Sequence, residues 1–341
     1  MSNQPENKLK AWISKHKILS AILTVIFILF TVLLVMAFIP FSVKDVPEPD
    51  PAASYELALA RLDAITEGQA ADPALNSVCY TRALTHGEKT ENVIVLFHGF
   101  TSCPEQMAVL GEQLFERGYN VLIPLQPHHG ELARDANSTN KISSEQLAEF
   151  AMQSVDIARG LGEQVTVAGI SGGGTLSVWL AQERDDIQTA MPIAPFLGIH
   201  FVPTPLNRPV ARLLDDIPNI WQWWDPVRKE NNPYTGEYQY PRYGTHGLAE
   251  YLRLGFAAER DAKADSPTAK IIMVSNASDL SVSNGIIDQF VSQWGANNEA
   301  RVESFRFDKS LNLPHDVITP ERYEGNLTIV YPQLLELLGL E

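Results

Sequence analysis

The stretch Gln164-Val165-Thr166-Val167-Ala168-Gly169-Ile170-Ser171-Gly172-Gly173 decides how this chain is read. Its β-branched first half is a short apolar run of the kind that forms a buried strand. A helical pattern from about Gly173 to Arg184 follows directly. Between them, Gly169 to Gly173 fits G-x-S-x-G at a strand-to-helix junction. A sharp turn there needs small neighbours, and it lifts a serine hydroxyl above the sheet edge. It also sets Ser171 at a helix N-terminus, where free N–H groups favour negative charge. The letters alone also fit a plain Gly-rich turn or a phosphate-cradling loop.

Working outward, the same alternation recurs. Strands are expected at 92–97, 120–124, 190–193, 269–275 and 301–307, with helices at 105–117, 143–161, 282–294 and 327–340. Strands separated by helical patterns predict an α/β fold: a mostly parallel sheet covered on both faces. Parallel connections of this kind run right-handed.

A serine hydroxyl needs a base and a third group that orients it. Downstream, the strand ending at Ser275 runs into a polar turn that closes on Asp279, and Leu313-Pro314-His315-Asp316 supplies a histidine. Loops leaving the carboxyl ends of such strands gather at one sheet edge, so Ser171, Asp279 and His315 are expected to converge. Taken singly, Asp279 also reads as a turn residue and His315 as a loop residue. Phe97-His98-Gly99-Phe100 follows the strand at 92–97 and offers backbone donors for a developing oxyanion. Those donors are assigned to Phe100 and to Gly172, the residue after the serine. His98 then braces the loop. His128 and His129 follow another strand end, either as rim residues facing a substrate or as polar loop support.

One segment breaks the alternation. From about 196 to 245 prolines are frequent and aromatics dense: Trp221, Trp223, Trp224, Tyr234, Tyr238, Tyr240 and Tyr243. A structureless loop of that length is improbable in a compact domain, so a small cap over one sheet end is expected. Its aromatics, Trp223 and Trp224 among them, suggest contact with an apolar acyl or aromatic group.

With these landmarks in place, the chain resembles the α/β-hydrolase family near its carboxylesterase and monoacylglycerol-lipase branch. The resemblance covers roughly 81–340 and rests on His98-Gly99, the Gly169–Gly173 turn, the Asp279 turn and His315. His128-His129-Gly130 is similar to a Gly-His-Gly turn of that branch, with its first glycine replaced. The resemblance implies ester hydrolysis through an acyl-enzyme, with no metal or organic cofactor, and a cap after the sixth strand. The same machinery also serves peptidases, amidases and thioesterases, and a silent hydrolase fold can act as a binding protein.

The N-terminus adds a second feature. Ile18 to Ile39 holds 22 residues without a charge, about 33 Å as a helix, enough to cross a bilayer core. Basic residues Lys8, Lys10, Lys15 and Lys17 precede it; Lys44, Asp45, Glu48 and Asp50 follow. The lysine bias places a basic tail, 1–17, in the cytoplasm and the catalytic domain outside it, in a periplasm or extracellular. A cleaved signal peptide is the alternative, though its apolar core usually runs only about 7–15 residues. The Pro-rich acidic stretch 40–53 reads as an extended linker, and 54–341 as the hydrolase domain. Four lysines against Glu6 give residues 1–17 a charge of +3, so of the formal −15 the remainder carries −18. An acidic body of this kind argues against a nucleic-acid partner. The two cysteines, Cys79 and Cys103, lie beyond the apolar segment and form either a disulfide or two buried thiols.

Overall fold

The computed structural model describes residues 15–231, 236–262, 270–298, 301–323 and 325–340. The strands are β1 (Arg82–Leu84), β2 (Thr90–Phe97), β3 (Asn120–Ile123), β4 (Gly162–Ile170), β5 (Ile187–Ile193), β6 (Trp221–Trp223), β7 (Arg242–Gly244), β8 (Lys270–Asn276) and β9 (Val302–Phe307). The helices are α1 (Lys17–Phe38), α2 (Tyr55–Ala71), α3 (Ala108–Phe115), α4 (Ser144–Leu161), α5 (Gly172–Glu183), α6 (Asn207–Asp216), α7 (Thr245–Ala262), α8 (Asn284–Asn298) and α9 (Tyr331–Leu337).

Seven strands form one sheet in the order β1-β3-β2-β4-β5-β8-β9. Every pairing is parallel except the edge strand β1, which runs antiparallel to β3. Burial on both faces explains why the strands read as apolar runs rather than alternations. In β2, Val93, Val95 and Phe97 enter a core shared with α4, α5 and α7. Its Ile94 and Leu96 enter a second core with α3 and α9.

Departures from the expected elements have local causes. The helix expected over 105–117 begins as a 3-10 turn at Pro104–Met107 and stops before Gly118 at φ 88. The last helix opens with a π turn, Asn326–Val330. Helix α2 was not foreseen, since only Ala58 and Leu62 of its 17 residues are buried. The start of the strand expected at Ala269 lies outside the described residues, as does Tyr234.

The insertion leaves the sheet after β5, between that strand and α7. It contains α6 and a two-stranded ribbon in which Trp221 faces Gly244 and Trp223 faces Arg242. Residues two apart share a strand face, so the Arg242 guanidinium lies over both rings, 4.2 Å from Trp221 and 5.5 Å from Trp223.

Helix α1 is long and apolar enough to cross a membrane and has no buried residue. The Pro-rich stretch 40–53, expected as an extended linker, packs along the domain. Phe41 and Ala52 are buried, Val43 and Val46 pack against the larger core, and Ala52 N–H donates to Asp156 O at 2.8 Å. Four apolar side chains among the prolines and acids suit a packed strap better than a solvated spacer.

Candidate active site

Ser171 stands at the carboxyl end of β4 with φ 55 and ψ −115, a backbone region that L-residues rarely occupy. Glycines make the turn feasible. A Cβ on Gly169 would lie 2.4 Å from Gly173 O, and one on Gly173 would lie 2.2 Å from Phe97 O. The turn is tied down by Ser171 N–H donating to Ile193 O, and by Ser171 O accepting from Phe196 N–H, both at 3.0 Å. Ser171 immediately precedes α5, yet its side chain does not cap that helix. Its half-buried Oγ hydrogen-bonds to no described residue, His315 included.

Asp279 and His315 are brought together from two loops. His315 Nδ1–H donates to Asp279 Oδ2 at 2.6 Å, while Asp279 Oδ1 accepts from Ser281 N–H (2.7 Å) and Val282 N–H (3.1 Å). Burial alone would raise the Asp279 carboxyl, but the facing imidazole and the two backbone donors hold it below its ordinary value. Burial alone would lower His315; the Asp279 charge and hydrogen bond outweigh it and raise the imidazole. Asn276, unnoticed in the sequence, joins the two loops. Its Nδ2 donates to Leu313 O and Pro314 O (3.0 and 2.9 Å), and its Oδ1 accepts from Ser278 N–H.

The loop after β2 is held from every side. His98 is buried, and its Nε2 accepts from Gln126 N–H, so its proton sits on Nδ1 and is given to Gly99 O at 2.9 Å. Burial holds this imidazole well below its usual range, which keeps it neutral. Gly99 N–H donates to Gln106 Oε1 at 2.8 Å. Phe100 N–H donates to no acceptor among the described residues, and Gly172 N–H belongs to the first, unsatisfied turn of α5. The disulfide Cys79–Cys103, with Cα atoms 5.3 Å apart, closes the far end of the loop.

His129 is buried, not on the rim. Its Nδ1 faces Pro127 O at 2.8 Å and its Nε2 faces Phe100 O at 2.5 Å. It supports the loop, and burial pushes its imidazole down to about 4. His128 is half-buried at φ 60. From the cap, Trp224 Nε1–H donates to Thr101 Oγ1 at 2.9 Å, and Tyr240 N–H donates to Thr101 O at 2.9 Å. Trp223 stays in the ribbon under Arg242, away from such contacts.

Sequence reading also missed Tyr251, on α7. A Cβ at Gly172 would lie 2.8 Å from its ring, which therefore lies directly on the turn that presents Ser171. Tyr251 Oη–H donates to Gln126 Oε1 at 2.5 Å, linking the turn to His98. The apolar spacing Leu248, Tyr251, Leu252 and Gly255 was the available signal for this helix.

Comparison with known proteins agrees with this fold. Residues 88–241 match the family described as serine aminopeptidase, S33. A thermostable monoacylglycerol lipase of Bacillus sp. (strain H-257) is 28% identical over 180 residues, which span 50% of this chain and 64% of that lipase. Among solved structures, the monoacylglycerol lipase of Paleococcus ferrophilus superposes with TM-score 0.55 at 19% identity, covering 76% of this chain and 98% of that one. A soluble variant of monoglyceride lipase from Saccharomyces cerevisiae, bound to a substrate analog, superposes at 0.56 and 13% identity, covering 76% and 91%. The chain has the α/β-hydrolase fold, and is similar in sequence to one monoacylglycerol lipase and in fold to others.

Proposed function

We propose that this protein is a membrane-anchored serine hydrolase that cleaves carboxylic esters with an apolar acyl group through an acyl-enzyme. The observation that carries the reading is the Asp279–His315 pair, on loops that follow β8 and β9 at the sheet edge where parallel β4 ends in the strained Ser171 turn. On this reading His315 takes the Ser171 proton as Oγ attacks the ester carbonyl, and the alcohol leaves with that proton. Asp279 keeps the imidazole in the Nδ1–H tautomer and stabilises its cation. Phe100 and Gly172 N–H groups receive the oxyanion, and water then releases the acid. The Ser171–His315 hydrogen bond is expected to form when substrate is seated, since such contacts often tighten only in the complex.

Helix α1 serves as a retained single-pass anchor, with 1–17 cytoplasmic and the domain on the opposite side. Trp224, tied to Thr101 beside the oxyanion loop, is the cap residue best placed to meet an acyl group.

The test is labelling of the detergent-solubilised full chain with a fluorophosphonate, alongside Ser171→Ala. Labelling and p-nitrophenyl ester turnover are expected in the native protein and absent in the variant. A variant that still labels or turns over would end the proposal. A second reading, cleavage of aminoacyl amides, is favoured by the aminopeptidase family match over 88–241. A preference for aminoacyl amides over acyl esters would replace the ester assignment.

A further inference from the structure

Three arginines and several exposed apolar side chains gather at one place, the end of α1. Beyond Phe38 the chain is gripped residue by residue. Arg212 Nη2 donates to Ile39 O and Pro40 O (2.9 and 3.0 Å), Arg260 Nη1 to Phe41 O (3.0 Å), and Arg253 Nε to Ser42 O (3.2 Å). The Phe41 ring is buried 5.2 Å from that of Phe256, and the Arg212 guanidinium lies 4.0 Å from the Phe41 ring centroid. Arg212 belongs to α6 in the cap. Arg253 and Arg260 belong to α7, the helix whose Tyr251 packs on the Ser171 turn.

Helix α1 also runs beside α6 and the Thr204–Leu206 turn. From Ala21 to Phe38 only Leu33, Met36 and Ala37 are partly covered, and that spacing marks one helix face in the last turns. On and next to the covering elements, apolar side chains stand in the open: Phe201 is 82% exposed, Leu206 43% and Leu213 44%. Arg208, Arg253 and Arg260 each pair with a carboxylate, of Glu259, Glu145 and Asp261. Among the described residues Arg212 has no such ion pair, and its buried Nε has no hydrogen-bond partner.

A helix that crosses a bilayer fixes where the membrane surface lies, and whatever packs on its last two turns lies at that surface. We propose that the cap is docked on the leaflet that α1 leaves. Phe201, Leu206 and Leu213 enter its acyl boundary, Arg212 meets lipid phosphate, and the site takes an ester-bearing lipid directly from that leaflet. The inference rests on reading α1 as a retained anchor.

The test uses the full chain in phosphatidylcholine nanodiscs. Both cysteines of the sequence are in the disulfide, so a single introduced cysteine accepts an environment-sensitive fluorophore. Phe201→Cys reports on the cap. Glu336→Cys is the control, because Glu336 lines a cavity with Asn92, Gln164 and Lys270 at the opposite sheet edge. Quenching by spin-labelled lipid at position 201 and not at 336 is the expected result. Equal quenching at both, in protein that resists carbonate extraction, overturns the docking and leaves the anchor standing. Extraction by carbonate removes the anchor reading and this inference with it. The combined Phe201→Asp, Leu206→Asp, Leu213→Asp variant should keep turnover of a short soluble ester and lose at least about tenfold on an ester lipid in the bilayer. Equal loss on both esters counts against the docking. A native protein inactive on either ester would refute the hydrolase reading, while the quenching would still decide the docking.

Discussion

His315 Nδ1 and Asp279 Oδ2 lie 2.6 Å apart across 36 residues of sequence, and each shifts the other's ionisation in the direction that favours the ion pair. The imidazole is raised above 6.5 and the carboxyl held below 3.8. The pair's contribution to stability is therefore full between those two ordinary values. It is lost as pH rises through the raised value of His315, and again as pH falls through the lowered value of Asp279. A general base must be neutral, so the acidic limb of kcat/KM should lie above 6.5, the ordinary value for histidine. Asp279→Asn should move that limb to lower pH, because burial, the largest influence on His315, then faces only the smaller and opposed charges of Asp316 and Arg322, and should cut kcat on the order of 10^4-fold. A pH–rate series on both proteins checks it; an unmoved limb would detach Asp279 from the histidine.

His129 should matter through Phe100. It touches the carbonyl of Phe100, the proposed oxyanion donor, so His129→Ala should loosen that donor without removing it. The expected loss is about 10- to 100-fold in kcat with KM little changed, as for a small misplacement of a positioned group. His129→Gln, which keeps one donor, should recover part of it. Steady-state kinetics with a melting curve for each variant separate this from simple unfolding.

Reduction of Cys79–Cys103, or its replacement by Cys79→Ser with Cys103→Ser, opens a loop of 24 residues. Chain-entropy arguments put the cost at about 3 kcal/mol. Thermal unfolding with and without reductant measures it. A Tm that does not fall on reduction would show the loop to be held without the bond.

Arg184 is fully buried between Asp156 (2.7 Å) and Asp186 (2.8 and 2.7 Å). Arg184→Leu leaves Asp156 without its cation and Asp186 with only Arg159, 3.7 Å away, and should cost about 3–5 kcal/mol. The triple change Arg184→Leu, Asp156→Leu, Asp186→Asn should cost less than the single one. Denaturant unfolding of the three proteins decides between them.

What the sequence disclosed follows from what its signals measure. β4 and the Gly169–Gly173 turn were legible because a tight turn admits almost nothing but glycine around Ser171, and the order of Ser171, Asp279 and His315 matched the strand ends. The bracing residues were not legible. Gln126, Asn276 and Tyr251 act through contacts between segments 28 to 125 residues apart, and no local pattern encodes a partner at that range. The packing of the 40–53 stretch on the domain was not legible, for the opposite reason. Its prolines and acids dominate the composition, while Phe41 and the arginines that hold it lie some 170 to 220 residues apart.

Strand β2 behaves as a beam shared by two rooms. Its odd-numbered side chains are seated in one core and its even-numbered ones in the other, and its last residue hands directly into His98-Gly99-Phe100. The height and tilt of that loop are thus set by packing on both sides of the sheet at once. A cavity opened beneath Val95 and one opened beneath Leu96 would reach the same few atoms from opposite directions, so distant repacking in either core becomes a dial on the loop's aim.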